Sequence, residues 1–176
     1  MQANPLKSVH WLDENLSDSN LIILDATLPK VGKTQDPDEI IMGIPGARKM
    51  ELKKDFSDMD APFPNTMTAP DQFEKSAQAL GINHHSTIVV YDRHGIYSCA
   101  RAWWLFTIMG HENVFILNGG LPAWKKAVYP IKELTTYEGS KGDFTADLKE
   151  GKMVDYKYVL DRLENADTQI IDARSA

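Results

Sequence analysis

Four short apolar runs, at residues 21–24, 87–91, 114–117 and 169–171, are rich in β-branched side chains and do not alternate with polar ones. Strands covered on both faces read this way. Between the runs, apolar positions recur at helical spacing. Pro70-Asp71 opens one such stretch, which sets Phe73, Ala77 and Leu80 on a common stripe before Gly81 ends it; Asp71 and Glu74 suit the positive end of its dipole. A second helix is predicted from Tyr97 to Met109, closed by Gly110, and a third from Leu121 to about Val128. Strands and helices alternating over short connections predict a parallel α/β sheet with right-handed crossovers. Residues 29–42 and 55–70 carry Gly, Pro, Asp and Thr without a period, and are expected to be long loops.

The pattern also repeats. Trp11-Leu12, Leu16 and Ile23-Leu24-Asp25-Ala26 recur as Tyr158-Val159, Leu163 and Ile170-Ile171-Asp172-Ala173, each pair 147 positions apart. Each copy spells a short helix followed by a strand. The repeat predicts a first domain over residues 6–137, a Gly/Ser/Lys linker over 138–150, and the opening of a second, similar domain over 151–176. A buried-type strand at 169–171 needs neighbours on both sides, so the sequence reads as a piece of a longer protein.

Length and composition narrow the function. At 176 residues the chain is one domain and a remainder, and 43% hydrophobic with 25% charged residues is ordinary globular composition. The net charge of −6 argues against nucleic acid or an anionic membrane as partner, because phosphate neutralisation needs clustered Lys and Arg. A small soluble substrate fits better. The single cysteine, Cys99, excludes an internal disulfide and a cysteine-based zinc site, and fits a reducing compartment. No apolar run reaches the roughly 18 residues of a spanning helix, and residues 1–5 offer neither a basic region nor an apolar stretch for a signal peptide. The chain therefore reads as cytoplasmic.

In a parallel sheet, ligands gather at the carboxyl ends of the strands, where the following helices present free N–H groups. Four strand ends qualify: Asp25-Ala26-Thr27, the loop from Asp92 to Ser98, Asn118-Gly119-Gly120 and Asp172-Ala173-Arg174. In the second, Gly95 allows successive N–H groups to turn inward as an anion-binding nest. A nucleophile would sit at its head, yet that position holds Asp92. Cys99 lies beyond the loop and has two readings, a thiolate activated by the helix N-terminus with His94 or Arg101, or a small buried residue; the second is favoured.

Ile44-Pro45-Gly46-Ala47, Val90-Tyr91-Asp92, Ala102-Trp103-Trp104-Leu105-Phe106, Gly110-His111 and Leu117-Asn118-Gly119-Gly120-Leu121 with Trp124 stand in the order and spacing of a known family. Over nearly its whole length the chain resembles the first half of tandem-domain rhodaneses and mercaptopyruvate sulfurtransferases. The resemblance implies a rhodanese-like α/β fold, a parallel sheet of about five strands with helices on both faces. It further implies a parent enzyme that moves sulfane sulfur from thiosulfate, or 3-mercaptopyruvate, to cyanide or a thiol through a cysteine persulfide. That cysteine belongs to the second domain, beyond Ala176, and its counterpart here is Asp92. This piece is then inactive alone, and packs against the second domain as a cleft wall. No catalytic residue is expected in it.

Two carry-overs follow from the same resemblance. Asp172-Ala173-Arg174 matches the family's Asp-x-Arg, which makes Arg174 the candidate contact for the anionic donor; the alternative is a surface arginine balancing Asp172. Mercaptopyruvate-type members send an Asp and a His across from the loop after Ile44-Pro45-Gly46-Ala47, and the best-matching positions here are Lys53 and Asn65, a departure that leans towards thiosulfate. Asp58 and Asp60 read as solvated loop carboxylates. Neither metal nor cofactor is expected: His84-His85 lacks a third ligand, Gly119-Gly120 lacks the further glycine of a dinucleotide fingerprint, and no Walker pattern occurs. His111, after Gly110, is expected to be partly protonated at a helix end. Two rival functions remain, a stand-alone non-catalytic binding or regulatory module built on the Asp92 loop, and an enzyme with Cys99 as nucleophile.

Overall fold

The computed structural model describes residues 4–30, 32 and 39–172. Five parallel strands form the central sheet in the order β1-β6-β5-β2-β4: β1 (Leu6–Lys7), β6 (Val114–Leu117), β5 (Thr87–Tyr91), β2 (Leu21–Asp25) and β4 (Arg48–Lys49). This is the expected α/β class. Strands β2, β5 and β6 coincide with the first three apolar runs, and their lack of alternation has its reason in what covers them. Ile88 and Val90 of β5 face one core with Phe73, Ala102, Leu105 and Phe106, while Val89 and Tyr91 face another with Leu12, Leu121 and Trp124. Helices α2 (Pro70–Ala79) and α3 (Cys99–Ile108) thus cover one face, and α1 (Val9–Glu14) and α4 (Gly120–Lys126) the other. The two-residue strands β1 and β4 pair at the sheet margins, and β3 (Met42–Gly43) pairs antiparallel with β7 (Lys132–Glu133) outside the sheet. Such short pairings carry no period of their own.

Helix boundaries depart from the sequence pattern for local reasons. Helix α3 begins at Cys99 and not at Tyr97, because the amides of Tyr97 and Ser98 donate to the Asp92 side chain. Helix α4 stops at Lys126, and Val128 takes a left-handed φ of 61°. In the second repeat copy, α5 (Tyr156–Leu160) forms under an Asp155 cap that accepts from the amide of Tyr158. The strand expected at 169–171 does not form: none of the described strands pairs with it, and Ile171 is 80% exposed. Residues 142–149 lie along the first core. Phe144 is buried against Phe73 and Phe106, and the amides of Gly142, Phe144, Asp147 and Lys149 donate to carbonyls of Gln78, Ile82, Met109 and Ile108. Among the described residues, no helix is long and apolar enough to cross a membrane.

Candidate functional site

The loop between β5 and α3 sits at the carboxyl end of the middle strand, where helix N–H groups converge. Asp92 turns its carboxylate back into this loop. Oδ2 accepts from the amides of Tyr97 (2.6 Å), Ser98 (2.8 Å) and Cys99 (3.0 Å), and Oδ1 from that of His94 (2.8 Å). Gly95, at φ 121°, provides the backbone turn that brings these amides together. The side chain is fully buried. Burial by itself would raise its pKa, but the four amides, that of Cys99 foremost, outweigh it and hold the carboxyl below its ordinary range. The nest foreseen from Gly95 therefore exists, and the chain fills it with its own charge.

Neighbouring elements hold the cradle rigid. Ser98 donates from Oγ to the carbonyl of Ala26 (2.8 Å) and accepts from the amide of Leu28 (3.0 Å), while the amide of Arg93 donates to Thr27 Oγ1 (2.9 Å). The end of β2 is thereby stapled to the loop. From the other side, Gly120 places its backbone so close that a Cβ would run into the carbonyl oxygens of Gly95 and Asp92, and the amide of Leu121 donates to the Asp92 carbonyl (3.0 Å). Sequence reasoning weighed Gly119-Gly120 for nucleotide binding and missed this packing role. It named the Asp25-Ala26-Thr27 strand end but gave Asp25 no role; Asp25 is buried, accepts from the Thr27 amide (2.9 Å) and hydroxyl, and faces Arg93 Nε across 3.4 Å. Burial pushes the Asp25 carboxyl above its ordinary range, against the hydrogen bonds of Thr27 and the charge of Arg93.

Cys99 contributes its amide to the cradle, and its thiol also lies against the Asp92 carboxylate. Its side chain is fully buried, and burial together with the adjacent Asp92 charge pushes the thiol well above its ordinary pKa. The structure thus supports the buried-residue reading. Lys53, Asp58 and Asn65 line one surface pocket of about 330 Å³, which shares no lining residue with the Asp92 loop. Asp60 donates its amide to Asp58 Oδ1 (3.0 Å) within the same loop. Arg174 lies outside the described residues.

His111 corrects an expectation. It is buried, with Nε2 2.8 Å from the Ser86 carbonyl, and burial lowers its pKa, which favours the neutral ring. Gly110 ends α3 as foreseen, but Phe106 and Phe144 pack beside the imidazole and leave it buried, which disfavours its charged form. The rings of His84 and His85 stack edge to face, 4.8 Å between centroids. Among the described residues no group of three or more His, Cys, Asp or Glu could hold a metal ion.

Comparison with known proteins gives this geometry its context. Residues 8–127 match the family model described as "Rhodanese-like domain". A thiosulfate/3-mercaptopyruvate sulfurtransferase of Arabidopsis thaliana mitochondria is 36% identical over 132 residues, covering 74% of this chain and 35% of the relative. The 3-mercaptopyruvate sulfurtransferase of Escherichia coli K12 is 32% identical over 169 residues, covering 94% of this chain and 59% of the relative. The chain thus spans between about a third and three-fifths of these relatives' length. The crystal structure of SseA from Escherichia coli, described with the 3-mercaptopyruvate sulfotransferases, superposes with a TM-score of 0.88 at 30% identity, covering 98% of this chain and 66% of that one. Tum1 from Saccharomyces cerevisiae shares the fold, with a TM-score of 0.80 at 21% identity.

Proposed function

This chain belongs to the rhodanese-like domain family, and from that membership we propose that it is the non-catalytic part of a tandem-domain sulfurtransferase. Residues 6–137 form the first domain, 138–150 run on from it, and 151–176 begin a second. The observation that carries the reading is the buried Asp92 carboxylate on four amides, at the position that the family resemblance matches to the persulfide-bearing cysteine. A site whose donors are already satisfied by an internal anion has none left for a sulfur anion, and a carboxylate is no sulfur nucleophile. The resemblance to sulfurtransferases of both donor names supports a small anionic sulfur donor for the parent protein, with thiosulfate preferred because Lys53 and Asn65 are the best-matching positions for the Asp and His of mercaptopyruvate-type members.

In the parent, a cysteine beyond residue 176 would attack the outer sulfur of thiosulfate. The S–S bond breaks, sulfite leaves with its electron pair, and the persulfide then yields its sulfur to cyanide or a thiol as the thiolate departs. Arg174 is the residue of this chain proposed to meet the anionic donor, and the first domain excludes water from the persulfide. The test is the gene itself. The encoded longer protein should carry a cysteine in the matching loop of its second domain and form thiocyanate from thiosulfate and cyanide, whereas the 176-residue chain should form none. Sulfur taken up by this chain alone, or an inert longer protein with that cysteine intact, would refute the proposal.

A further inference from the structure

A pocket of about 570 Å³ opens between α3, the loop before α2 and the residues leading into α5. It shares no lining residue with the Asp92 loop. Phe63, Met67, Trp104, Val154 and Tyr156 make its wall largely apolar, and one cationic residue, Arg101, lines it. Arg101 is preorganised: Nη2 donates to the Asn65 carbonyl (2.7 Å) and to Ser57 Oγ (3.3 Å), both neutral acceptors. Among the described residues no carboxylate lies within ion-pair distance of it, in contrast to Arg93, which faces Asp25. Its Nε is buried without a hydrogen-bond partner. Asp155, the one acid in the lining, caps α5 by accepting from the amide of Tyr158. A permanently charged group held half out of water with no counter-charge is an electrostatic debt that an anion can relieve.

We propose that this pocket binds a small monocarboxylate with an apolar or aromatic body, its carboxylate on Arg101 and its body against Trp104, Phe63 and Tyr156. The volume suits a ligand of about one ring and a short side chain, within the range of small-molecule sites. Asp155 at the rim disfavours a second negative charge, so a monoanion is preferred to a dianion. Arg101 offers the site the Nη1 end of a fixed guanidinium, since the Asn65 carbonyl and the Ser57 hydroxyl occupy Nη2 and set its orientation.

The test uses phenylacetate and its neutral isostere phenylacetamide at constant ionic strength, followed by the indole N–H resonance of Trp104, which a Trp104→Phe variant assigns. Phenylacetate is expected to shift that resonance saturably and to bind at least about tenfold more tightly than phenylacetamide, the range for one charge-assisted hydrogen bond. Arg101→Met should erase the preference. Val154→Asp, at an exposed rim position, should weaken phenylacetate several-fold and leave phenylacetamide unchanged, which keeps the question open to decision if the Arg101 variant does not fold. Equal binding of the two probes, a shift that does not saturate, or a preference that survives both substitutions would overturn the proposal.

Discussion

The amide of Cys99 donates to Oδ2 of Asp92 at 3.0 Å, so the single cysteine of this chain serves an anion cradle with its backbone while its sulfur stays buried. The same contact gives each residue its character. It stabilises the carboxylate form of Asp92 and, through the charge so fixed, destabilises the thiolate form of Cys99.

Replacing Asp92 with Asn should therefore destabilise the fold by about 3 kcal/mol, because an amide offers one acceptor oxygen to four donors and turns an NH2 group onto some of them. Chemical denaturation at neutral pH measures this. The sign of the pH dependence follows from the depressed carboxyl. Its contribution is complete above the unfolded value near 3.8 and fades as pH falls through the lower folded value. The gap between native and Asp92→Asn proteins should hold constant from neutrality to about pH 5 and narrow only below about pH 4. A gap that closes at higher pH would show that the amides do not hold the charge.

Cys99 should resist alkylation. With its side chain fully buried and its thiol pKa raised by burial, iodoacetamide at neutral pH should label the native protein far more slowly than a free thiol and label the denatured protein at the free rate. Rapid native labelling would restore Cys99 as a nucleophile.

An Asp92→Cys substitution in a Cys99→Ala background moves a sulfur into the cradle. The four amides that favour a carboxylate should favour a thiolate as well, so the new cysteine is expected to titrate below about 7, read from thiolate absorbance against pH. A value near that of a free thiol would mean that the loop had reorganised around the larger atom.

Much of this was legible from residues that obey one rule at a time. The runs at 21–24, 87–91 and 114–117 are strands because continuous apolar character has no other use in so short a stretch between helices, and Gly81 and Gly110 end helices as their left-handed φ values of 68° and 88° require. Asp92 was recognisable as a misfit at the head of an anion loop. Gly120, Thr27 and Ser98 were not, since their importance lies in touching a loop that is distant in sequence. His111 misled because a histidine after a helix-ending glycine looks the same whether water or Phe144 lies beyond it. The apolar run at 169–171 has strand composition but no strand beside it among the described residues, and composition alone closes no hydrogen bonds.

The neutral His111 gives a second pH window with its own sign. A histidine whose folded pKa is lowered contributes fully above its unfolded value near 6.5 and loses that contribution as pH falls below it, until the folded ring itself accepts a proton. His84, whose charge adds to the lowering, lines the same pocket as His111. Stability should therefore fall as pH drops below about 6.5 in the native protein and much less in a His111→Gln variant, which keeps a donor for Ser86. Thermal melts across that range decide the matter.

Residues 151–172 should add nothing to the stability of the first domain. None of them is buried, α5 contributes no core residue, and the last backbone bonds to the domain are those of Asp147 and Lys149 with the carbonyls of Met109 and Ile108. Leu163 stands 62% exposed, so the transfer energy available from this segment is small. A protein ending at residue 150 should unfold at the same denaturant midpoint, within about 0.5 kcal/mol, as expected for changes away from packed groups. A protein ending at 141 should lose several kcal/mol, about 3 from Phe144 alone, because that ring closes the aromatic cluster of Phe73 and Phe106. If the cut at 150 is as damaging as the cut at 141, the repeat does not mark a domain boundary, and residues 151–172 belong to the first fold.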